Sequence, residues 1–189
     1  MIAATIEVID ESGEVAVRVQ DIVTRVGTQA PVLYRHFGSR EGLVMAAQAK
    51  RLVDDMNAEV DRFSQAFRSA ATAEEFEVLV ELLMVGITGP ERRDLRWKRV
   101  NVIGSTYGRP ELAEAVAVLL RRTISGIAAG FRPAQQRGWI SDDVDLNAVA
   151  AWLAGHALGR ILIELGDSDV SDEAWNKVAL KALKAILFG

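Results

Sequence analysis

The side chains able to do covalent or metal chemistry are few. The chain has two histidines, His36 and His156, and no cysteine. Disulfides, thiolate metal sites and cysteine nucleophiles are therefore excluded. There is no Gly-rich phosphate loop, no His-rich metal spacing and no nucleophile elbow. The carboxylates are scattered at helical spacing, like solvated faces. An enzyme is not expected, and neither is a cofactor or metal. What remains is the chemistry of phosphate and base-edge contact. Between Arg18 and Arg40 stand four arginines against one acid, Asp21, a local charge of +3 on a chain whose net charge is −4. Gln20, Gln29, Tyr34 and His36 are interleaved with them. The pattern is a small basic patch on an acidic body, and local distribution matters more than the sum.

Three short helices must position those residues. Ile2 to Glu11 reads as the first, ended by Gly13. Val19 to Val26 reads as the second, with Ile22, Val23 and Val26 available for packing. Gly27 permits the positive φ that a tight turn between crossing helices needs. Thr28 or Gln29 then stands at the N-cap of a third helix, with Pro31 in its first turn and Gly38 at its end. Leu33 and Phe37, four apart, face inward. Ala30, Val32, Tyr34, Arg35 and His36 face outward or lie at the ends. This is a helix-turn-helix pattern, whose second helix fits a DNA major groove. Leu33, Phe37, Ile22, Val26 and Leu43 read as core and say nothing of DNA. Tyr34 and His36 also read simply as surface residues at a helix end.

The run VQDIVTRVGTQAPVLYRHFGSREGL resembles the signature of the TetR family of bacterial transcriptional repressors. Asp21-Ile22, Gly27, Leu33-Tyr34, His36-Phe37, Ser39-Arg40-Glu41 and Leu43 agree with it in order and spacing. The resemblance covers about 40 residues; the rest matches only in being helical. It implies that the third helix reads the major groove. Gln29, Ala30, Pro31, Val32 and Arg35 are then expected at or near base edges, with Thr28 at the helix start. Tyr34, His36 and Arg40 match phosphate-contacting positions, and Gln20 matches a second-helix position that reaches the groove. There are departures. Val32 stands where Thr is frequent, which exchanges a hydroxyl contact for apolar contact with a thymine methyl. Gln29-Ala30 replaces the more usual Ser-x. Val19 stands where Thr often caps the second helix, weakening that start by about 1 kcal/mol. Met1 lies almost at the first helix, so a basic minor-groove arm is absent from this sequence or lies before it.

The remainder is also helical in pattern. Met45, Ala49, Leu52, Met56, Val60, Phe63 and Phe67 form one apolar stripe, predicting a helix of about eight turns capped by Ser39. Thr72-Ala-Glu-Glu75 is a capping box before an apolar run that Gly89-Pro90 ends. Glu91 to Tyr107 reads as another helix, and Arg92, Arg93, Arg96, Lys98 and Arg99 are expected on a solvated face. Pro110 opens the next, which Pro133 should stop or kink. Leu146 to Leu165 has the length of a membrane span. His156, Arg160 and Glu164 argue for a buried helix instead, since arginine alone costs about 2.5–3.5 kcal/mol at mid-membrane. Ser171 or Asp172 opens a final helix. The Val15–Val19 alternation is short and isolated.

The fold expected is therefore all-α, with an N-terminal three-helix helix-turn-helix DNA-binding domain over residues 1–45. A larger helical ligand-binding and dimerisation domain would cover 46–189. The resemblance implies a homodimer through the last two helices, reading a palindromic DNA operator and released by a small-molecule effector. Small residues along Leu146–Leu165 and the Trp175, Val178, Ala182, Ile186 stripe fit such pairing, though a monomer core fits them too. Met84, Trp97, Asn101, Tyr107, Trp152 and His156 are the ligand-pocket candidates, and their aromatic character suggests an apolar or aromatic effector. Met84 and Trp152 also read as core, and His156 as a satisfied buried histidine. A cytoplasmic location is expected. The rival is a helical ligand-binding or interaction protein that has lost DNA binding, which the poor N-terminal arm and the acidic total charge favour.

Overall fold

The computed structural model describes residues 1–104, 106–166 and 169–189; the side chains of Leu52, Asp55 and Glu111 also lie outside the described set. No strand occurs among the described residues. The helices are α1 (Ile2–Ser12), α2 (Val19–Arg25), α3 (Ala30–Phe37), α4 (Arg40–Ser69), α5 (Ala73–Thr88), α6 (Arg93–Gly104), α7 (Pro110–Gln136), α8 (Leu146–Gly159), α9 (Ile161–Glu164) and α10 (Asp172–Phe188). The alternating residues near Val15 form a 3₁₀ turn, Glu14–Ala16.

Local chemistry explains four of the starts. The Gly42 N–H donates to Ser39 Oγ at 2.9 Å. The Glu75 N–H donates to Thr72 Oγ1 at 3.2 Å, and Glu75 Oε2 accepts from the Ala71 N–H at 2.8 Å, a capping box whose return arm reaches one residue further back. Asp145 Oδ1 accepts from the N–H groups of Asn147 and Ala148, and Ser171 Oγ from that of Ala174. Each side chain satisfies a backbone donor that the first turn leaves free.

Two expectations about helix ends are corrected. Pro133 does not stop α7, which runs on to Gln136. The proline sits in the last turn, where its missing N–H frees only the carbonyl of Ala129, an exposed residue. The single helix expected over Leu146–Leu165 breaks at Arg160 into α8 and α9. Leu146–Glu164 is long and apolar enough to cross a membrane by length and composition. Arg160, however, is buried, and its guanidinium bonds Glu164, Asp172 and Asn176.

The chain divides into two compact units. Met1–Asp55 with Val102–Val116 form the first; Met56–Asn101 with Ala117–Gly189 form the second. The first packs Ile9, Val17, Ile22, Val23, Leu33, Leu43 and Val44 into one core. The second is centred on aromatics: Phe76 meets Phe131 edge-on, and Phe67 lies 4.9 Å from Phe131 between ring centroids. Lys184 on α10 reaches Glu77 and Glu81 on α5 at 2.6 and 2.5 Å.

The basic residues of α6, with Arg92 just before it, do not form one solvated face. Arg93 and Lys98 are exposed, but Arg92, Arg96 and Arg99, spaced four and three apart, share an inward side. Arg92 and Arg99 hold the buried Glu59 of α4 at 2.7 and 3.0 Å. Arg96 is 1% exposed; it pairs with Glu164 and donates to the Gly89 carbonyl at 2.9 Å. Buried carboxylates across the unit, invisible to helical periodicity, supply the counter-charge.

His156 is stacked between Trp152 and Trp175, with ring centroids at 5.3 and 5.0 Å. Burial first, then the Arg160 charge, holds its imidazole below the ordinary range.

Three outcomes follow for the folded chain. A Cβ on Gly42 would overlap the Phe37 carbonyl oxygen, so Gly42→Ala should lower stability by about 1–3 kcal/mol, read from the urea midpoint. Arg96→Met strands part of the charge on buried Glu164 and should cost about 3–5 kcal/mol in the same assay. The lowered His156 pKa means that the unfolded chain takes up a proton first. Its contribution is therefore full above about pH 6.5 and lost as pH falls through the folded value. His156→Phe, which keeps the stack, should flatten the urea-midpoint profile on that acid side.

Candidate nucleic-acid interface

The turn between α2 and α3 is built by Gly27 at φ +67°, in the left-handed region that favours glycine. Its N–H donates to the Thr24 carbonyl, and the Thr28 N–H to that of Val23. Gln29 is the N-cap of α3, in extended conformation and without a side-chain cap bond. Pro31 occupies the first turn, and Gly38 at φ +74° closes the helix. Leu33 is fully buried among Ile22, Val23 and Leu43, and half-buried Phe37 packs against the same core.

Burying Leu33 decides what α3 presents outward. Gln29, Pro31, Tyr34, Arg35 and His36 are exposed, while Thr28, Ala30 and Val32 are half-buried. Gln20 is exposed on α2. Arg35 makes no hydrogen bond or ion pair with the described residues, so its guanidinium stays available. Arg18, at the N-cap of α2, is exposed as well. Arg25 is committed to Glu7 at 3.1 Å. The basic run thus contains free and engaged arginines, a distinction that counting charges along the sequence could not make.

Arg40 is among the engaged ones. Its Nε donates to the Val17 carbonyl and its Nη2 to that of Glu14, each at 2.7 Å, while Nη1 reaches Glu41 at 3.4 Å. The Glu41 carboxyl is held below its usual range, first by its own backbone N–H at the start of α4, with Arg40 and Ser39 adding to this. The side chain lies on α4, half-buried, and points its donors at the α1–α2 connection.

The ligand-pocket candidates are dispersed. Met84 is buried in the aromatic core of the second unit, against which Trp152 packs. Trp152 and His156 are stacked on each other, and Trp175 completes the sandwich. Trp97 and Asn101 are exposed on α6, and Tyr107 in the first unit is 95% exposed. Trp175 was legible only as part of an apolar stripe on the last helix; nothing in its spacing pointed to His156. The buried His156 Nε2 and Trp175 Nε1 have no hydrogen-bond partner among the described residues. Among the described residues no group of three acidic or histidine side chains could hold a metal ion.

Residues 1–47 match the model of the bacterial regulatory proteins of the tetR family. No curated protein sequence matches the chain. Solved structures match it over nearly its whole length. A TetR-family transcriptional regulator from Mesorhizobium loti MAFF303099 is 19% identical, with a TM-score of 0.59, covering 100% of this chain and 95% of its own. A transcriptional regulator from Saccharomonospora viridis, solved in complex with choline, is 21% identical with a TM-score of 0.57, covering 97% and 93%. The regulator FadR of Bacillus subtilis, in complex with stearoyl-CoA, is 18% identical with a TM-score of 0.51, covering 96% and 95%. At these identities the likeness shows the fold. Residues 1–47 are thus similar to the bacterial regulatory proteins of the tetR family, and the chain has the fold of these solved regulators.

Proposed function

We propose that the chain is a transcriptional repressor that binds a palindromic DNA operator as a homodimer and is released by a small-molecule effector. The observation that carries this reading is the outward face of α3. Burial of Leu33 leaves Gln29, Pro31, Tyr34, Arg35 and His36 exposed on a helix short enough to enter one major groove. Arg35 is the residue for base edges, since a guanidinium bonds guanine O6 and N7 together. Tyr34 and His36 are the phosphate contacts, with Gln20 and Thr28 at the groove margin. Half-buried Ala30 and Val32 give the helix an apolar approach, suited to thymine methyl groups.

One such helix reads few base pairs, so a two-fold pair is needed for two half-sites about one helical turn apart. The last long helices, α8 and α10, are proposed to supply the pairing. On α8, Ala148, Ala151 and Gly155 are exposed, and a side chain added at Gly155 would meet open space. Val178 on α10 is 71% exposed and Leu162 on α9 is 75% exposed. The effector is read as apolar or aromatic and placed near the Trp152, His156 and Trp175 rings. The choline and stearoyl-CoA complexes of the fold's relatives support a ligand role in general. An effector would act by favouring the conformation that binds DNA less well. The setting would be the bacterial cytoplasm.

The test is a mobility-shift titration with DNA from upstream of the protein's own coding region. The native chain should retard it, and Arg35→Ala should weaken binding about 10- to 100-fold and relax selectivity at one position in each half-site. In sedimentation runs, Val178→Glu should shift a dimer toward monomer. Failure of the native chain to prefer any operator sequence over random DNA would sink the reading.

A further inference from the structure

The resemblance gave Arg40 to a DNA phosphate, but its hydrogen bonds point inward. We infer that Arg40 is a positioning residue: its guanidinium holds the α1–α2 connection, which leads into the uncapped α2, against the start of α4. The inference rests on the reading of this domain as DNA-binding for its functional consequence only.

α2 starts without help of its own. Its N-cap is Arg18, in extended conformation at φ −118° and ψ 130°, and no side chain bonds the free N–H groups of the first turn. A seven-residue helix with no cap has little hold on its own direction. The segment leading into it is a single 3₁₀ turn, Glu14–Ala16, followed by Val17. Arg40 grips that segment at both ends. Nε donates to the Val17 carbonyl and Nη2 to the Glu14 carbonyl, both at 2.7 Å. These two nitrogens lie on one edge of the planar guanidinium, so two carbonyls three residues apart are held in one fixed orientation. Gln48 adds a weaker contact to the Glu14 carboxylate from α4, at 3.4 Å. Val17 itself is buried in the core that also holds Ile22 and Leu33.

The geometry has a direct consequence for α3. α2 and α4 flank it in sequence, and both pack on Leu33. An arginine on α4 that fixes the entry to α2 therefore fixes both walls against which the recognition helix lies. A lysine keeps the charge but offers one ammonium, which cannot hold two carbonyls in a plane.

The experiment compares the native full-length chain with Arg40→Lys and Arg40→Ala. Amide hydrogen exchange is read without DNA, and operator affinity is read across a salt series where circular dichroism shows every variant fully folded. Exchange of residues 17–22 should quicken in both variants. Operator affinity should fall about tenfold in Arg40→Lys despite its retained charge. The plot of log affinity against log salt for Arg40→Ala should stay parallel to that of the native chain. Unchanged exchange in both variants would overturn the inference. So would a salt slope reduced by about 0.9 in Arg40→Ala, which marks a lost phosphate contact. If the native chain binds no DNA, the proposed function fails, and the exchange arm still decides the role of Arg40.

Discussion

The burial of Leu33 is the contact on which the DNA-facing half of this protein depends. α2 has seven residues and α3 has eight. Isolated helices shorter than about 12–15 residues are marginal in water, because the first turn costs more order than its hydrogen bonds return. Neither helix is held by its own propensity or by a side-chain cap. They persist because Leu33, Ile22, Val23 and Leu43 exclude water together. The same burial sets the rotation of α3 about its axis. Once Leu33 points inward, the positions of Tyr34, Arg35 and His36 follow from 3.6 residues per turn. Surface chemistry and core packing are two sides of one short helix.

The second unit is organised differently, with charge buried among apolar elements. Glu59 sits between Arg92 and Arg99, and Glu164 between Arg96 and Arg160. A buried ion pair gives little net stability, but removing one partner leaves a charge without water. These pairs act mainly as a constraint on register. α6 cannot rotate against α4 without separating Arg92 and Arg99 from Glu59. Arg160, at the break between α8 and α9, is held by Glu164 and Asp172 in the same way.

Fold class and element order were legible because their causes are local. Apolar spacing, Ser39, Thr72, Asp145 and Ser171 as caps, and Gly27 and Gly38 at turns all act within about four residues. The third helix was legible for the same reason, down to the inward Leu33 and the outward Tyr34, Arg35 and His36. Pro133 was misleading because the effect of a proline depends on how many turns follow it. One more turn, with the freed carbonyl on an exposed residue, costs little.

What the sequence determined by itself was the set of helices and the helix-turn-helix that carries Arg35 outward. What only the tertiary structure decided was which charges are free. Arg35 and Arg40 look alike in the sequence, five residues apart in one basic run. One has no partner among the described residues, and the other is spent on the carbonyls of Glu14 and Val17, more than twenty residues away. The solvated face expected on α6 fails in the same way, because its partners lie 40 and 68 residues distant. Helical periodicity reports which side of a helix is apolar. It carries no information about which distant carboxylate or carbonyl will stand opposite an arginine, and that pairing is set when the chain closes on itself.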